Sequence, residues 1–470
     1  MSKRPNIIMI FADDMGYGDM SCQGAVNFST PNLDSMAESG IRFSDMHSSS
    51  AVCSPSRYSF LTGRYCWRTR LKEYVLGGFG APLIEQRRET LASLVKKQGY
   101  QTAAIGKWHL GLDWYDTEGK ALKECDINGW NIDGDTVDYA RGFKGGPCDL
   151  GFDEFFGIAG SLDMPPYCYL KNNRPETLPT FKKHHFYPQQ REGMQAKNFE
   201  ETEVDLTFIK KAEEFIERQS KEEEPFFLYL TPSSPHRPCV PPEFLKGKSN
   251  AGNRGDMVLM VDHMVGRVRK ALEEHNLEKD TLVIFSSDNG ARALNYDGKD
   301  YGHKSNGDLR GQKGDIYDGG HREPCIAQWP DTIPEGLISD EPLCLVDIFA
   351  TLADIIDVEI PANHAEDSKS FLPVLKNEVV DSPVHEALVH HSLDGLFSVR
   401  KGEWKAVFGN GSGGFSEPAR YTPEGNKPEG QLYNIHDDFR ETTNLWNDRP
   451  EIVLQLQEIL TRYQQEGASR

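Results

Sequence analysis

Four short apolar runs, each leading into polar side chains, constrain this chain more than any other feature. Asn6-Ile-Ile-Met-Ile-Phe-Ala12 ends in Asp13-Asp14, and the run from Gln101 to Ile105 leads to Gly106-Lys107-Trp108-His109. Phe226 to Leu230 leads on to His236, and Thr281 to Ser286 runs into Ser287-Asp288-Asn289. Runs that are apolar at consecutive positions describe strands covered on both faces, as in a parallel sheet. Between them lie segments of helical period. One is 203–219, with Phe208, Ile209, Ala212, Phe215 and Ile216 on one face; the other is 255–274, with Val258, Val261, Val265, Val268 and Leu272. Alternating strands and helices predict an α/β fold, a large mixed and mostly parallel sheet sandwiched by helices. Ligands of such sheets bind at the carboxyl ends of the strands, so the four polar endings predict one site.

A chain of 470 residues is long for one core. The expected division is a catalytic domain at 1–375 and a smaller C-terminal subdomain with an antiparallel sheet at 376–470. In the latter, Ala387 to His391, Leu396 to Arg400 and Trp404 to Phe408 read as strands, and Arg449 to Tyr463 as a helix. From 113 to 200 the periodicity fades into Gly, Pro, Asn, Asp and aromatics, among them Trp114, Tyr115, Trp130, Tyr167 and Tyr169. Long loops over the site are expected there, with His184-His185 read first as a solvated pair and second as a substrate contact.

The net charge of −20 argues against nucleic acid as a partner. No run of about 18 apolar residues exists, so no membrane span is expected. The apolar run after Met1-Ser-Lys-Arg-Pro is too short for a secretory signal. The expected location is cytoplasmic as written, or periplasmic or secreted if a signal was removed. Nine cysteines without CxxC spacing suggest neither a zinc knuckle nor a dense disulfide framework.

One cysteine stands apart. In Cys53-Ser54-Pro55-Ser56-Arg57-Tyr58-Ser59-Phe60-Leu61-Thr62-Gly63-Arg64, Ser54 fits an N-cap, Pro55 the first helical position and Gly63 the position past the helix end. That reading puts Cys53 ahead of a helix N-terminus, where an anion is favoured and Arg57 can point back at it. Asp13, Asp14, Asp288 and Asn289 are hard oxygen donors suited to Ca²⁺ or Mg²⁺ rather than zinc. Arg57, Lys107 and Lys313 supply positive charge for a bound oxyanion. His109 and His236 are candidate proton-transfer groups near neutral pH.

Asp-Asp-x-Gly-Tyr-Gly-Asp from Asp13, Cys-x-Pro-x-Arg with Leu-Thr-Gly-Arg from Cys53, Gly-Lys-Trp-His from Gly106, Pro-His-x-Pro from Pro235, Ser-Asp-Asn-Gly from Ser287 and Lys-Gly…Gly-Gly-x-Arg-x-Pro from Lys313 follow one another along the chain. In content and order these motifs resemble the type I, formylglycine-dependent sulfatases of the alkaline-phosphatase superfamily, arylsulfatase-like hydrolases. Asp318 stands where that family usually has Glu.

The resemblance implies that a formylglycine-generating enzyme oxidises Cys53 to an aldehyde. It implies that Asp13, Asp14, Asp288, Asn289 and the converted Cys53 bind Ca²⁺, with Mg²⁺ the lesser alternative. Arg57, Lys107, His109, His236 and Lys313 are implied to surround the sulfate, with Arg322 and His303 as further candidate substrate contacts. A hydroxyl of the aldehyde hydrate is implied to attack sulfur, His236 to protonate the departing alcohol, and His109 to help expel sulfate. The expected substrate is a sulfated poly- or oligosaccharide. The alternatives are a phosphodiester or phosphonate monoester hydrolase of the same superfamily, against which Asn289 speaks, and a non-catalytic binder of sulfated glycans.

Overall fold

The computed structural model describes residues 4–294 and 297–470. Its main sheet has ten strands, in spatial order 337–339, 41–43, 325–328, 281–287, 6–12, 226–231, 101–107, 154–158, 170–171 and 174–175. The four strands read from the sequence lie side by side and parallel. Ile8 pairs with both Leu228 and Val283, and Leu230 pairs with Ile105. Every residue of Asn6–Ala12 is buried, as a strand with neighbours on both sides and helices on both faces requires.

Two groups of helices flank this sheet. Pro31–Glu38, Val204–Gln219 and Gly252–Glu274 pack together in one group; Cys53–Thr62, Leu91–Lys96 and Ile348–Ile355 form the other. Phe60 of the Cys53 helix stacks on Phe11 with ring centroids 5.0 Å apart. Fully burying a phenylalanine contributes about 1.5–3 kcal/mol, so this contact fixes the helix against the central strand.

The sequence misleads in the stretch from 113 to 200. Glu154–Ile158 is no loop: it joins the main sheet parallel to Gln101–Lys107, Phe156 beside Ile105. Trp114, Tyr167 and Tyr169 are buried, so they serve the core; Trp130 remains 36% exposed. The short strands Ile41–Phe43, Cys325–Gln328 and Leu337–Ser339 were also illegible, because three or four residues carry too little pattern and only long-range pairing defines them.

A second, four-stranded antiparallel sheet lies near the C-terminus, in the order 388–391, 397–401, 404–407 and 431–434, with helix Pro450–Glu466 packed on it. Val389, Val399, Ala406, Leu432, Leu456 and Ile459 form its core, together with Tyr65, Trp67, Cys344 and Val346 from earlier in the chain. The shared apolar cluster joins the two sheets. Arg68 adds to the joint, reaching Asp367 at 2.7 Å and the carbonyl of Tyr463 at 2.7 Å. Among the described residues no helix is long and apolar enough to cross a membrane.

Candidate active site

The carboxyl ends of the four central strands converge on one buried cluster. Asp13 and Asp14 follow Asn6–Ala12, Lys107 ends Gln101–Lys107, and Asp288 follows Thr281–Ser287. The chain beyond Phe226–Thr231 returns through Ser233 and Ser234 to His236. The backbone N–H of Asp13 donates to the carbonyl of Ser234, which ties this return to the central strand.

Helix Cys53–Thr62 supplies the remaining centre. Its N-cap is Val52, so Cys53 occupies the first helical position and not the position before the cap. Ser54, expected as the cap, instead accepts a hydrogen bond from the Leu76 N–H. Gly63 does end the helix, at φ 64°, a left-handed conformation that glycine adopts without the Cβ penalty.

The polar contacts are dense. Lys107 Nζ donates to both carboxylate oxygens of Asp13, at 2.8 and 2.7 Å. Lys313 Nζ reaches Asp14 at 2.5 Å and Cys53 Sγ at 3.3 Å, and Cys53 Sγ lies 3.7 Å from Asp13. Arg57 holds Asp288 through Nε at 2.9 Å and a terminal nitrogen at 2.8 Å. Asn289 Nδ2 donates to Asp14 at 2.8 Å, leaving its Oδ1 buried and without a hydrogen-bond partner. His236 Nε2 is 3.7 Å from Asp14 Oδ2, while its Nδ1 pairs with the Arg237 carbonyl at 2.7 Å. His109, at φ 57°, donates through Nε2 to the Leu76 carbonyl at 2.8 Å, and its Nδ1 is buried without a partner.

Burial sets the protonation states. It pushes the Cys53 thiol up to about 12 against the pull of Lys107 and Lys313, so the unmodified side chain is a poor nucleophile. Burial also raises Asp14, but Lys313 and Lys107 outweigh it and hold the carboxylate ionised. Burial, with Lys313, brings His236 down to about 4; burial and Lys107 put His109 well below the ordinary imidazole range. Both rings are neutral in the resting site.

The oxygen donors fit a hard cation. Ligand atoms of Asp13, Asp14, Cys53 and His236 lie within 4.8 Å of one another. The set holds two carboxylates, and the buried Asn289 oxygen without a hydrogen-bond partner is a further hard donor. Asp288 is turned toward Arg57, with its Oδ1 accepting the Asp14 N–H at 3.2 Å.

Two candidates from the sequence sit outside this cluster. Arg322 is spent on the Ser44 carbonyl, at 2.9 and 2.7 Å, beside Asp45 and Asp318. His303 pairs with Asp19 at 2.8 Å, and Asp19 pairs with Arg254, which also donates to the Asp14 carbonyl at 2.9 Å. His303 therefore reaches the centre only through an intermediary. Arg254 was missed because it lies on a core helix with no motif around it. His184 and His185 are exposed.

A family model described as Sulfatase matches residues 5–358. The chain belongs to the sulfatase family. Sulfatases hydrolyse sulfuric esters. A curated relative, an N-acetylgalactosamine-6-O-sulfatase of Bacteroides thetaiotaomicron, is 30% identical, covering 98% of this chain and 93% of its own. The human N-acetylgalactosamine-6-sulfatase is 29% identical over 86% of this chain and 71% of its own, and human steryl-sulfatase 31% identical over 87% and 76%. A solved structure from work on the metabolism of multiple glycosaminoglycans by Bacteroides thetaiotaomicron superposes with TM-score 0.84 at 29% identity, covering 98% of this chain and 99% of that one.

Proposed function

We propose that this sulfatase removes sulfate from a sulfated carbohydrate, with a side chain made from Cys53 as the nucleophile. The carrying observation is the placement of Cys53, fully buried at the head of its helix, 3.3 Å from Lys313 and 3.7 Å from Asp13. As a thiol held near 12 it has little chemistry to offer there. Conversion to formylglycine by a generating enzyme would supply a hydrated aldehyde, a hydroxyl nucleophile in the same place. The match to N-acetylgalactosamine-6-sulfatases along nearly the whole chain supports an amino-sugar sulfate over a sterol sulfate.

Asp13, Asp14, Asp288, Asn289 and the converted Cys53 would hold the cation, Ca²⁺ by the hardness of these donors. When bound, the cation supplies charge that polarises a sulfuryl oxygen. The protein's own cations, Arg57, Lys107 and Lys313, add to that charge around the place where the sulfuryl oxygens become more negative. His236 has its Nδ1 occupied by the Arg237 carbonyl, so Nε2 is the atom that carries a proton to the departing alcohol. An anionic ester beside it raises its proton affinity above the resting value. His109 is fixed the other way round, Nε2 on the Leu76 carbonyl and Nδ1 bare, so it accepts a proton when sulfate is expelled. Residues 1–375 act as the catalytic domain, and 376–470 as a subdomain that braces it.

Tryptic mass spectrometry of the Cys53 peptide, after expression with and without a formylglycine-generating enzyme, tests this together with release of sulfate from N-acetylgalactosamine 6-sulfate. The expected result is turnover in proportion to the aldehyde fraction, abolished by a chelator and restored by Ca²⁺. Full activity in a sample carrying only cysteine would sink the mechanism.

A further inference from the structure

Three histidines that the sulfatase chemistry does not use meet where the main sheet and the C-terminal sheet join. His47 ends the short strand Met46–His47 that leads toward Cys53, His321 ends the helix Asp318–His321 beyond Lys313, and His390 belongs to strand Leu388–His391. All three are 0% exposed. Each ring offers a ligand nitrogen within 4.8 Å of the other two.

The outer nitrogen of each ring has an oxygen as its closest partner. His47 Nε2 lies 2.8 Å from Asp45 Oδ1, His321 Nε2 3.0 Å from the Ile316 carbonyl and His390 Nδ1 2.9 Å from the Ser48 carbonyl. Arg400 and Lys405 approach the first two nitrogens at 3.1 and 3.2 Å, but both cations are taken up by carboxylates at 2.7 or 2.8 Å. A neutral imidazole has one N–H, and each ring spends it outward. Metal-binding histidines are held in this way, the second nitrogen donating to a carboxylate or a carbonyl.

The nitrogens left over are Nδ1 of His47, Nδ1 of His321 and Nε2 of His390. The first two face each other at 3.0 Å, and the third is buried with no hydrogen-bond partner among the described residues. Two bare lone pairs so close repel unless a positive centre lies between them. A further proton serves only by charging a ring, and burial lowers the proton affinity of all three. Two nitrogens bound to one Zn²⁺ at about 2.0–2.1 Å stand about 3.3 Å apart at the tetrahedral angle, close to the spacing seen. His321 and His390 lie stacked, with centroids 4.1 Å apart and planes at 12°. Parallel rings cannot both aim at one atom, so taking up an ion splays this pair.

We propose that His47, His321 and His390 form a second metal centre, separate from the strand-end cluster, that takes one Zn²⁺ or a similar borderline ion. A set made of imidazoles favours such an ion over Ca²⁺. It ties the strand before Cys53, the segment after Lys313 and the C-terminal sheet at one point. Its role is to brace, whichever ester the enzyme cleaves.

The test uses full-length Cys53→Ala protein, which offers no thiolate at the strand-end site. It is expressed in zinc-supplemented medium, dialysed briefly against a chelator and returned to excess Ca²⁺, so that exposed zinc is stripped and buried zinc retained. Elemental analysis should find about one Zn²⁺ per chain. The zinc-edge X-ray absorption spectrum should show nitrogen neighbours at about 2.0–2.1 Å, the scattering of three imidazoles and no sulfur. His390→Asn should lower the zinc content at least about tenfold, since losing even the hydrogen-bond partner of a ligand costs about 10–100-fold in affinity. His184→Ala/His185→Ala, which removes the exposed pair, should leave the content unchanged. Less than about a tenth of an ion per chain, a spectrum without imidazole, or zinc that follows the exposed pair instead of His390 would overturn the centre; the facing nitrogens would then share only a proton. Should His390→Asn not fold, the spectrum of the His184→Ala/His185→Ala variant decides, because three imidazoles there support the centre and their absence overturns it.

Discussion

The two sheets are built from similar apolar residues yet contribute to the site in opposite ways. Strands of the main sheet deliver Asp13, Asp14, Lys107 and Asp288 directly from their ends. Among the described residues the C-terminal sheet and its loops place no side chain in the Cys53 cluster, but they hold the loop that carries Lys313. The Leu393 N–H donates to the Gly314 carbonyl at 2.8 Å, and the Ile316 N–H to the Ser412 carbonyl at 2.7 Å. The carboxylate of Asp315 accepts the N–H groups of Phe415 and Ser416 at 2.8 and 3.0 Å. Strand ends can aim a side chain without help, because both neighbours fix the backbone. A cation carried on a loop needs a second body to hold it still.

The strongest way to break the comparison is to remove chemistry from one region and structure from the other. Cys53→Ala should leave the fold and its far-ultraviolet circular dichroism intact while lowering turnover by at least about 10³-fold, the scale of losing a nucleophile. Lys405→Met should do the reverse first. Lys405 is fully buried between Asp318 at 2.7 Å and Glu441 at 2.8 Å, and removing it strands two buried acids. A loss of about 3–5 kcal/mol in the stability of the C-terminal sheet is expected, measured by native-state hydrogen exchange of residues 404–407. Normal exchange there would show that the seam does not depend on this triad.

Gly414→Ala sharpens the contrast, because Gly414 belongs to the C-terminal region and touches no reacting atom. An added Cβ would meet the Gly314 carbonyl carbon and oxygen at 2.2 Å, so the backbone next to Lys313 must move. Overpacking of this kind costs about 1–3 kcal/mol, and a displacement of about 1 Å at a catalytic cation lowers kcat by up to about 10²-fold. An unchanged kcat would mean that the Lys313 loop holds itself.

The smallest expected effect concerns pH. Burial raises the Glu441 carboxyl from 4.5 to about 7. A group whose folded pKa is raised lends stability below its unfolded pKa and loses it as pH climbs through the folded one. Opening of residues 404–407 should therefore become easier between about pH 4.5 and 7. Asp318, held low by Lys405 against the burial that raises it, acts in the opposite sense and only in stronger acid. Glu441→Gln should flatten that slope by up to about 1 kcal/mol per pH unit. A slope equal to wild type would remove Glu441 as its source.

Much of this protein was legible before any coordinates, and for a local reason. The strands at 6–12, 101–107, 226–231 and 281–287 are apolar runs followed by polar residues, and the pattern alone predicts both a buried parallel sheet and a site at its ends. Cys53, Arg57, Lys107, His109, His236 and Lys313 stand in or beside motifs whose order along the chain identifies the family. Other features depend on residues far apart in sequence. Glu154–Ile158 becomes a strand only because Gln101–Lys107 offers an edge. Arg254 meets Asp19 across 235 positions, and Asp163 gathers Arg191 and Arg237 from 28 and 74 positions away. Local pattern sets which segments are buried and what their ends carry. Only packing decides which distant charges share a carboxylate, because that depends on which segments the fold brings together.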